Sequence, residues 1–416
     1  MASASFAPLR HRSFALALSS SFVSSTGTWM QSVALGVYLT ETTHNPLWLG
    51  LLTVAAWSPS IVGSPLGGVV ADRWNRQRWI QANNLIMAAT ATALAAVALA
   101  GDLTPRLAVV LAIVEGLCSS ASWPAWQSML PDLVERDEVL AAVSLSSAQF
   151  NMGRIIGPLL AGVALALGSP AACFAANAAS FVVVVVAFAF VRSPHRPPPV
   201  ARARPLRDLA DGARAAWAVS GCRYPIVAIA AVALTLSPFI ALVPAMAIEV
   251  LHSGRVGTSW LVTAQGVGAV VGAVTLPGLA RRTSRQFVLR LSLWSAVGFE
   301  ALYGVAPDLG LAMAALLVVG GAYVGVLTGL NTSVQLHAPV RERSRILSLY
   351  TLSLSVAYPV GALVQSALAR SMGVREVTEL GAGALGVGLV VVSIVAPRVW
   401  GDLGAPGSVP AGLLAD

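Results

Sequence analysis

Three ionisable side chains stand inside long apolar runs, where solubility cannot account for them: Glu115, Arg154 and Glu300. A carboxyl group held there can take up and release a proton or grip a cationic substrate group, and a neighbouring guanidinium can tune it. Glu115 is the ninth residue of the run Leu107–Met129, roughly 13 Å in at helical rise, close to the depth of Arg154 in the next run. Ser119, Ser122 and Trp126 follow Glu115 at helical spacing and share its face. Two readings stay open: a proton or cation site tuned by Arg154, or a static buried pair of the two. Glu300 lies in the ninth such run, and Glu41, Glu249 and Glu379 sit near helix ends that water reaches.

A second concentration of chemistry is GGVVADRWNRQR, Gly67 to Arg78. It places Asp72, Arg73, Arg76 and Arg78 within seven positions of a chain in which only 11% of residues are charged. Apolar runs on either side make it a turn at the membrane edge. A weaker version recurs about 209 residues later at Gly278, Ala280, Arg281, Arg282 and Arg285, which predicts a duplicated unit. In the run from Leu140, NMGRIIGPLLAG sets Gly153, Gly157 and Ala161 at four-residue spacing beside Pro158 and Gly162. Small residues so spaced let two helix backbones approach closely.

These groups need elements to carry them. The chain has 416 residues, 56% of them hydrophobic, with a mean hydropathy of +0.76. Runs longer than about eighteen apolar residues recur, the signature of a polytopic membrane protein. The predicted fold is all-α, with twelve transmembrane helices in two six-helix halves. The first six are Phe14–Leu39, Leu47–Val70, Trp79–Ala100, Leu107–Met129, Leu140–Leu167 and Ala171–Val191. The second six are Ile226–Leu251, Thr258–Ala280, Phe287–Val305, Leu309–Leu336, Ile346–Ala369 and Val377–Ala396. The resulting division is a tail 1–13, a first half 14–191, a linker 192–225, a second half 226–396 and a tail 397–416. Two halves of this kind place substrate near the midplane, where the halves meet.

All 26 basic residues are arginine, against 18 acids. Without lysine, a phosphate-loop nucleotide site and a Schiff-base cofactor are excluded. With both termini and the linker inside, 21 arginines lie on that side and 4 outside, so both termini are expected in the cytoplasm of a cell with the protein in its inner membrane. The linker opens on the proline-rich SPHRPPPVARARP. It continues with Leu206, Leu209, Ala213 and Trp217 at helical spacing, a short amphipathic helix expected on the inner membrane face.

Polar lines on two other spans support a cavity: Ser21, Ser25, Thr28 and Ser32 with Gln31 on the first, and Thr328, Asn331 and Gln335 on the tenth. Trp57, Trp123 and Tyr323 add an aromatic side, so that Glu115, Arg154, Gln31, Asn331 and Trp123 are the candidate coupling and substrate residues. Cys118, Cys173 and Cys222 have no metal-ligand spacing and read as packing residues. The glycines Gly266, Gly268 and Gly272 mimic a dinucleotide loop, but no strand precedes them. No catalytic constellation can be defended, and neither a metal, a cofactor nor nucleic acid is expected.

The motif GGVVADRWNRQR resembles that of the major facilitator superfamily between its second and third helices, with Gly68, Asp72, Arg73 and Arg76 in the expected places and Asn75 where a glycine is usual. Gly153, Gly157, Pro158 and Gly162 resemble its helix-5 antiporter motif. LPDLVERDEVLAAVSLSSAQFNMGRIIGP, APVRERSRILSLY and VLHSGRVGTSWLVTAQGVGAVVGAV are similar to the branch that contains the enterobactin exporter and macrolide efflux proteins. The resemblance implies alternating-access transport driven by protons, with Asp72 and its arginines as a cytoplasmic latch against helix 11. It also implies export of small amphiphilic molecules, drugs or siderophores, by a monomer in the bilayer. The superfamily's usual helix-4 arginine motif is absent. Uptake of a nutrient and a non-transporting sensor or scaffold are the competing readings.

Overall fold

The computed structural model describes residues 6–192, 205–339, 342–397 and 399–400. Among these, every regular element is helical. The α-helices are α1 (Arg12–Thr43), α2 (Leu47–Trp57), α3 (Ser60–Arg73), α4 (Arg76–Ala100), α5 (Pro105–Met129), α6 (Val139–Leu167) and α7 (Pro170–Phe190). They continue with α8 (Pro205–Ala218), α9 (Ser220–Thr235), α10 (Phe239–Ala245), α11 (Gly254–Arg282), α12 (Arg285–Val305), α13 (Leu309–His337), α14 (Arg343–Met372) and α15 (Val374–Val395). The proline-rich connector predicted between Val191 and Pro205 and most of the C-terminal tail lie outside the described residues.

Eleven helical segments among the described residues are long and apolar enough to cross a bilayer. The first predicted span is not one of them. Its helix α1 has 32 residues, ample length, but the serines, threonines and Gln31 that mark its polar line lower its hydropathy. Two predicted spans are broken by proline. Leu47–Val70 divides into α2 and α3 at Ser58 and Pro59, and Ile226–Leu251 divides into α9 and α10 around Pro238 and then widens into a π-helical turn over Met246–Val250. A proline cannot donate to the preceding turn, and its ring crowds that turn, so an unbroken apolar run does not guarantee an unbroken helix.

Helix starts follow capping chemistry. Asn75 caps α4 by accepting from the Arg78 amide at 3.1 Å. Thr104 caps α5 ahead of Pro105, and Asp308 caps α13 through the Leu311 amide at 2.9 Å. The residue that departs from the superfamily's usual glycine thus has a local task as an N-cap.

The chain forms two compact units. The first comprises residues 1–200 and 247–263, and the second 201–246 and 264–416. In the first unit α1 packs on α6 and α7, α4 on α5 and α7, and α2 and α3 on α5. Its core gathers Phe14, Ala17, Ala125, Met129, Leu130 and Phe188. The crossings are close enough to require glycine: a Cβ on Gly67 would meet the Ala121 carbonyl oxygen at 2.1 Å, and one on Gly157 the Thr26 carbonyl oxygen at 2.6 Å. In the second unit α12 packs on α13 and α15, and α9 on α13 and α14. The amphipathic helix α8 lies against α14, with Gly212 close on the Arg345 Cβ, while Trp217 is exposed.

Candidate functional site

Four helices of the first unit converge on Glu115. Helix α1 supplies Gln31, α4 Thr90, α5 Glu115 and α7 Asn177 with Ser180. Gln31 Nε2 donates to Glu115 Oε2 at 2.5 Å, and Asn177 Nδ2 donates to Gln31 Oε1 at 2.9 Å. Each end of the Gln31 amide is thereby engaged, which fixes its orientation. The Ser180 hydroxyl donates to the Asn177 side-chain and backbone oxygens at 3.0 and 2.7 Å. Asn177 is fully buried and Gln31 3% exposed. Space for the network comes from Gly27, where a Cβ would lie 2.5 Å from Ser180 Oγ.

The remaining carboxyl oxygen of Glu115 faces Thr90. Its hydroxyl lies 3.2 Å from Glu115 Oε1 and 2.9 Å from the Met87 carbonyl oxygen. A threonine hydroxyl has one proton and accepts as well as donates. When Glu115 is ionised, Thr90 can give its proton to Oε1. When Oε1 carries a proton, Glu115 can donate to Thr90 Oγ1 while Thr90 bonds Met87. The same heavy-atom positions satisfy both protonation states, and that property suits a group which must cycle between them.

Arg154 belongs to a second cluster. Its guanidinium lies over the Trp29 ring, 5.4 Å from the centroid. Trp29 meets Phe150 edge to face at 6.3 Å, and Phe150 meets Trp123 in the same manner at 6.5 Å. Phe150 and Trp123 are exposed, so the cluster offers an aromatic surface with a cation at one end. The hydrogen bonds on the Glu115 carboxyl come from Gln31 and Thr90, and the Arg154 guanidinium lies over Trp29. Trp29 and Gln31 are two residues apart on α1, about 200° around its axis, so α1 presents one cluster on each side.

The other predicted residues take these places. Asn331 lies on α13 of the second unit and accepts from Gln335 Nε2 at 2.5 Å. Tyr323, read as cavity lining, is 7% exposed with its hydroxyl 3.0 Å from Ser237 Oγ. In the membrane-edge motif, Asp72 and Arg73 are exposed. Arg76 is tied down, with Nη1 donating to Asp132 Oδ2 at 2.9 Å and to the Ser128 carbonyl at 3.0 Å. A Cβ on Gly68 would meet nothing, whereas its neighbour Gly67 forms the close crossing. In the α6 motif, Gly153 faces Ser25 and Gly157 faces Thr26 and Trp29, so Gly153, Gly157 and buried Pro158 seat α6 on α1. Gly162 faces Ser259, where a Cβ would stand 2.9 Å from Ser259 Cβ. Close by in sequence, Arg255 Nε donates to Glu41 Oε1 at 2.7 Å.

Thr90, Asn177, Trp29 and Phe150 were not among the predicted site residues. For Asn177 the signal was its place in the run Ala171–Val191, whose other polar residue is Ser180; Thr90 shares its run with Gln81, Asn83, Asn84 and Thr92 and carries no such mark. Trp29 and Phe150 carry no comparable mark.

Helices of bilayer length make this a polytopic membrane protein, and the following comparisons with known proteins make it a transporter of the major facilitator type, not an enzyme. The chain matches the family described as transmembrane secretion effector over residues 3–407, and it belongs to that family. It is 26% identical over 397 residues to the enterobactin exporter of Citrobacter koseri, an alignment covering 94% of this chain and 93% of that one. It is 26% identical over 393 residues to the enterobactin exporter of Escherichia coli O1:K1 / APEC, covering 92% and 91%. Among solved structures, a mutant form of the nucleoside transporter NupG superposes with a TM-score of 0.77 at 13% identity, covering 90% of this chain and 97% of that one. A peptide transporter of the POT family in complex with alafosfalin gives a TM-score of 0.70 at 14% identity, covering 94% and 95%. The chain is a multi-pass membrane protein that carries small molecules.

Proposed function

We propose that the protein is a proton-coupled exporter of small amphiphilic molecules, drug-like or siderophore-like, working by alternating access. The observation that carries this reading is the Glu115 network, whose geometry serves both the ionised and the protonated carboxyl. Glu115 is the coupling acid, Gln31 and Thr90 hold it, and Arg154 with Trp29, Phe150 and Trp123 contacts substrate. Asn331 is a further substrate candidate in the second unit. Gly68, Asp72, Arg73 and Arg76 form a latch that is made in one state and broken in another, and Gly153, Gly157, Pro158 and Gly162 set the helix crossing of the antiporter-like motif. The Glu41–Arg255 pair is a polar clasp of the conformation described.

The enterobactin exporters, similar over more than nine-tenths of the chain, favour export and a siderophore-sized cargo. The arginine bias favours an inner-membrane protein with both termini in the cytoplasm, and we take it to act as a monomer. At about 150 mV one proton supplies about 3.5 kcal/mol, enough for a concentration ratio of a few hundred, so one titrating carboxyl suffices as a minimum.

The test is accumulation of a substrate panel in cells lacking their own exporters, comparing wild type, Glu115→Gln and Asp72→Asn with and without a protonophore. Lower accumulation in wild type, lost in both variants and with the protonophore, is expected. Higher accumulation in wild type would indicate uptake. Energised transport that survives in Glu115→Gln would remove Glu115 from the mechanism.

A further inference from the structure

Glu300 is the sixteenth residue of α12, five short of Val305 and so about 7.5 Å from that end of the helix. It is fully buried, and among the described residues both of its carboxyl oxygens lack a hydrogen-bond partner. Tyr303 follows one turn on, on the same side of the helix. Its ring is 1% exposed, and its hydroxyl also lacks a partner. Phe239 of α10 closes over the Tyr303 ring, with centroids 6.2 Å apart.

The helices packed on α12 bring no charge to the carboxyl. On α15, Arg375 donates to the Ala306 carbonyl at 2.8 Å, Glu376 and Glu379 are exposed, and the Glu379 stem lies over Gly304. On α13, the capping Asp308 bonds the Leu311 amide, Tyr323 is 3.0 Å from Ser237, and the His337 ring bonds the Ser333 carbonyl at 2.8 Å. Helix α10 has no ionisable residue. On α12 itself Arg285 lies at the start, and Arg290 stacks on Trp400 at 4.9 Å.

Among the described residues an ionised carboxylate in such a place has neither a donor nor a counter-charge, and an uncompensated buried charge is costly. As an acid it ties no two helices together, so it adds nothing to packing that a leucine would not supply. What it adds is a place for a proton. We propose that Glu300 is a proton-binding site of the second unit, distinct from Glu115, which holds a proton in the conformation described and exchanges it when α12 loosens from α13 and α15. In that step the carboxyl O–H bond breaks heterolytically: the proton passes to entering water with the Tyr303 hydroxyl as its first relay, and the electron pair stays on Glu300. The site gives the transport cycle a second proton, and in this the inference rests on the proton-coupled reading above.

The test is infrared spectroscopy of the full-length protein in phospholipid vesicles, first in ordinary and then in heavy water, on wild type, Glu300→Gln and Glu115→Gln. A protonated-carboxyl stretch that is lost in E300Q, retained in E115Q, and shifted in heavy water while the amide core remains protected is the expected result. If E300Q does not fold, the volume-conserving Glu300→Leu takes its place. Identical spectra in wild type and the Glu300 variant would overturn the inference. So would a Glu300 stretch that exchanges only as slowly as the protected amide core, since a static packing acid has no route to water. The proton-coupled reading fails separately, when the protonophore leaves transport by the wild-type protein unchanged.

Discussion

In the first unit, the buried acid Glu115 accepts from Gln31 and Thr90, and Gln31 is held in turn by Asn177. In the second unit, the buried acid Glu300 has no hydrogen-bond donor among the described residues. Both sit in helices of bilayer length, yet the first is woven into a network spanning four helices and the second stands alone beside an equally unpartnered tyrosine. The difference separates two ways of carrying a carboxyl through a membrane. A networked acid is stabilised in either protonation state and is costly to delete. An isolated one has no partner to hold it when ionised and is cheap to delete.

That contrast can be broken most forcefully at Gly27. Gly27→Val drives a side chain into Ser180 and Asn177 and is expected to destabilise the first unit by about 1–3 kcal/mol, read as a lower midpoint in thermal denaturation of the detergent-solubilised protein. An unchanged midpoint would mean that the network is loose. Next, Glu115→Leu strands the Gln31 amide and is expected to cost about 1–2 kcal/mol. Asn177→Ala leaves only Gln31 Oε1 without its donor, since the Ser180 hydroxyl keeps the backbone oxygen of residue 177, for about 1 kcal/mol by the same measurement. A double-mutant cycle on Glu41 and Arg255 is expected to return a coupling of about 0.2–1 kcal/mol, as for other half-exposed pairs. The smallest effect is assigned to Glu300→Leu, between neutral and slightly stabilising, because no partner loses a bond when the carboxyl goes. A large loss there would show that Glu300 is structurally engaged and would erase the contrast between the two units.

Much of this molecule was legible in its residues. Length and apolarity fixed a helical membrane protein, and Glu115 and Gln31 both stood out as polar groups where hydrocarbon was expected. That they bond to each other was not legible. They are 84 positions apart, and their meeting depends on how α1 and α5 are rotated about their own axes. For the same reason the similar depths of Arg154 and Glu115 do not reveal what each touches, because depth along a helix says nothing of direction around it. Asn75 was read as a departure from a motif and is the cap of α4. Pro59 and Pro238 were visible, but the continuous apolar runs around them masked the breaks they cause.

By itself, the sequence determined that the chain lives in a bilayer and that lysine chemistry is absent, because both follow from composition and run length. It also determined that α6 must approach a neighbour closely, because glycines at four-residue spacing leave a groove. Only the tertiary structure decided which neighbour that is, which amide holds Glu115, and that Glu300 has no donor. Such pairings are set by the rotation and crossing of whole helices, and these emerge from many small packing contacts that no single stretch of sequence contains.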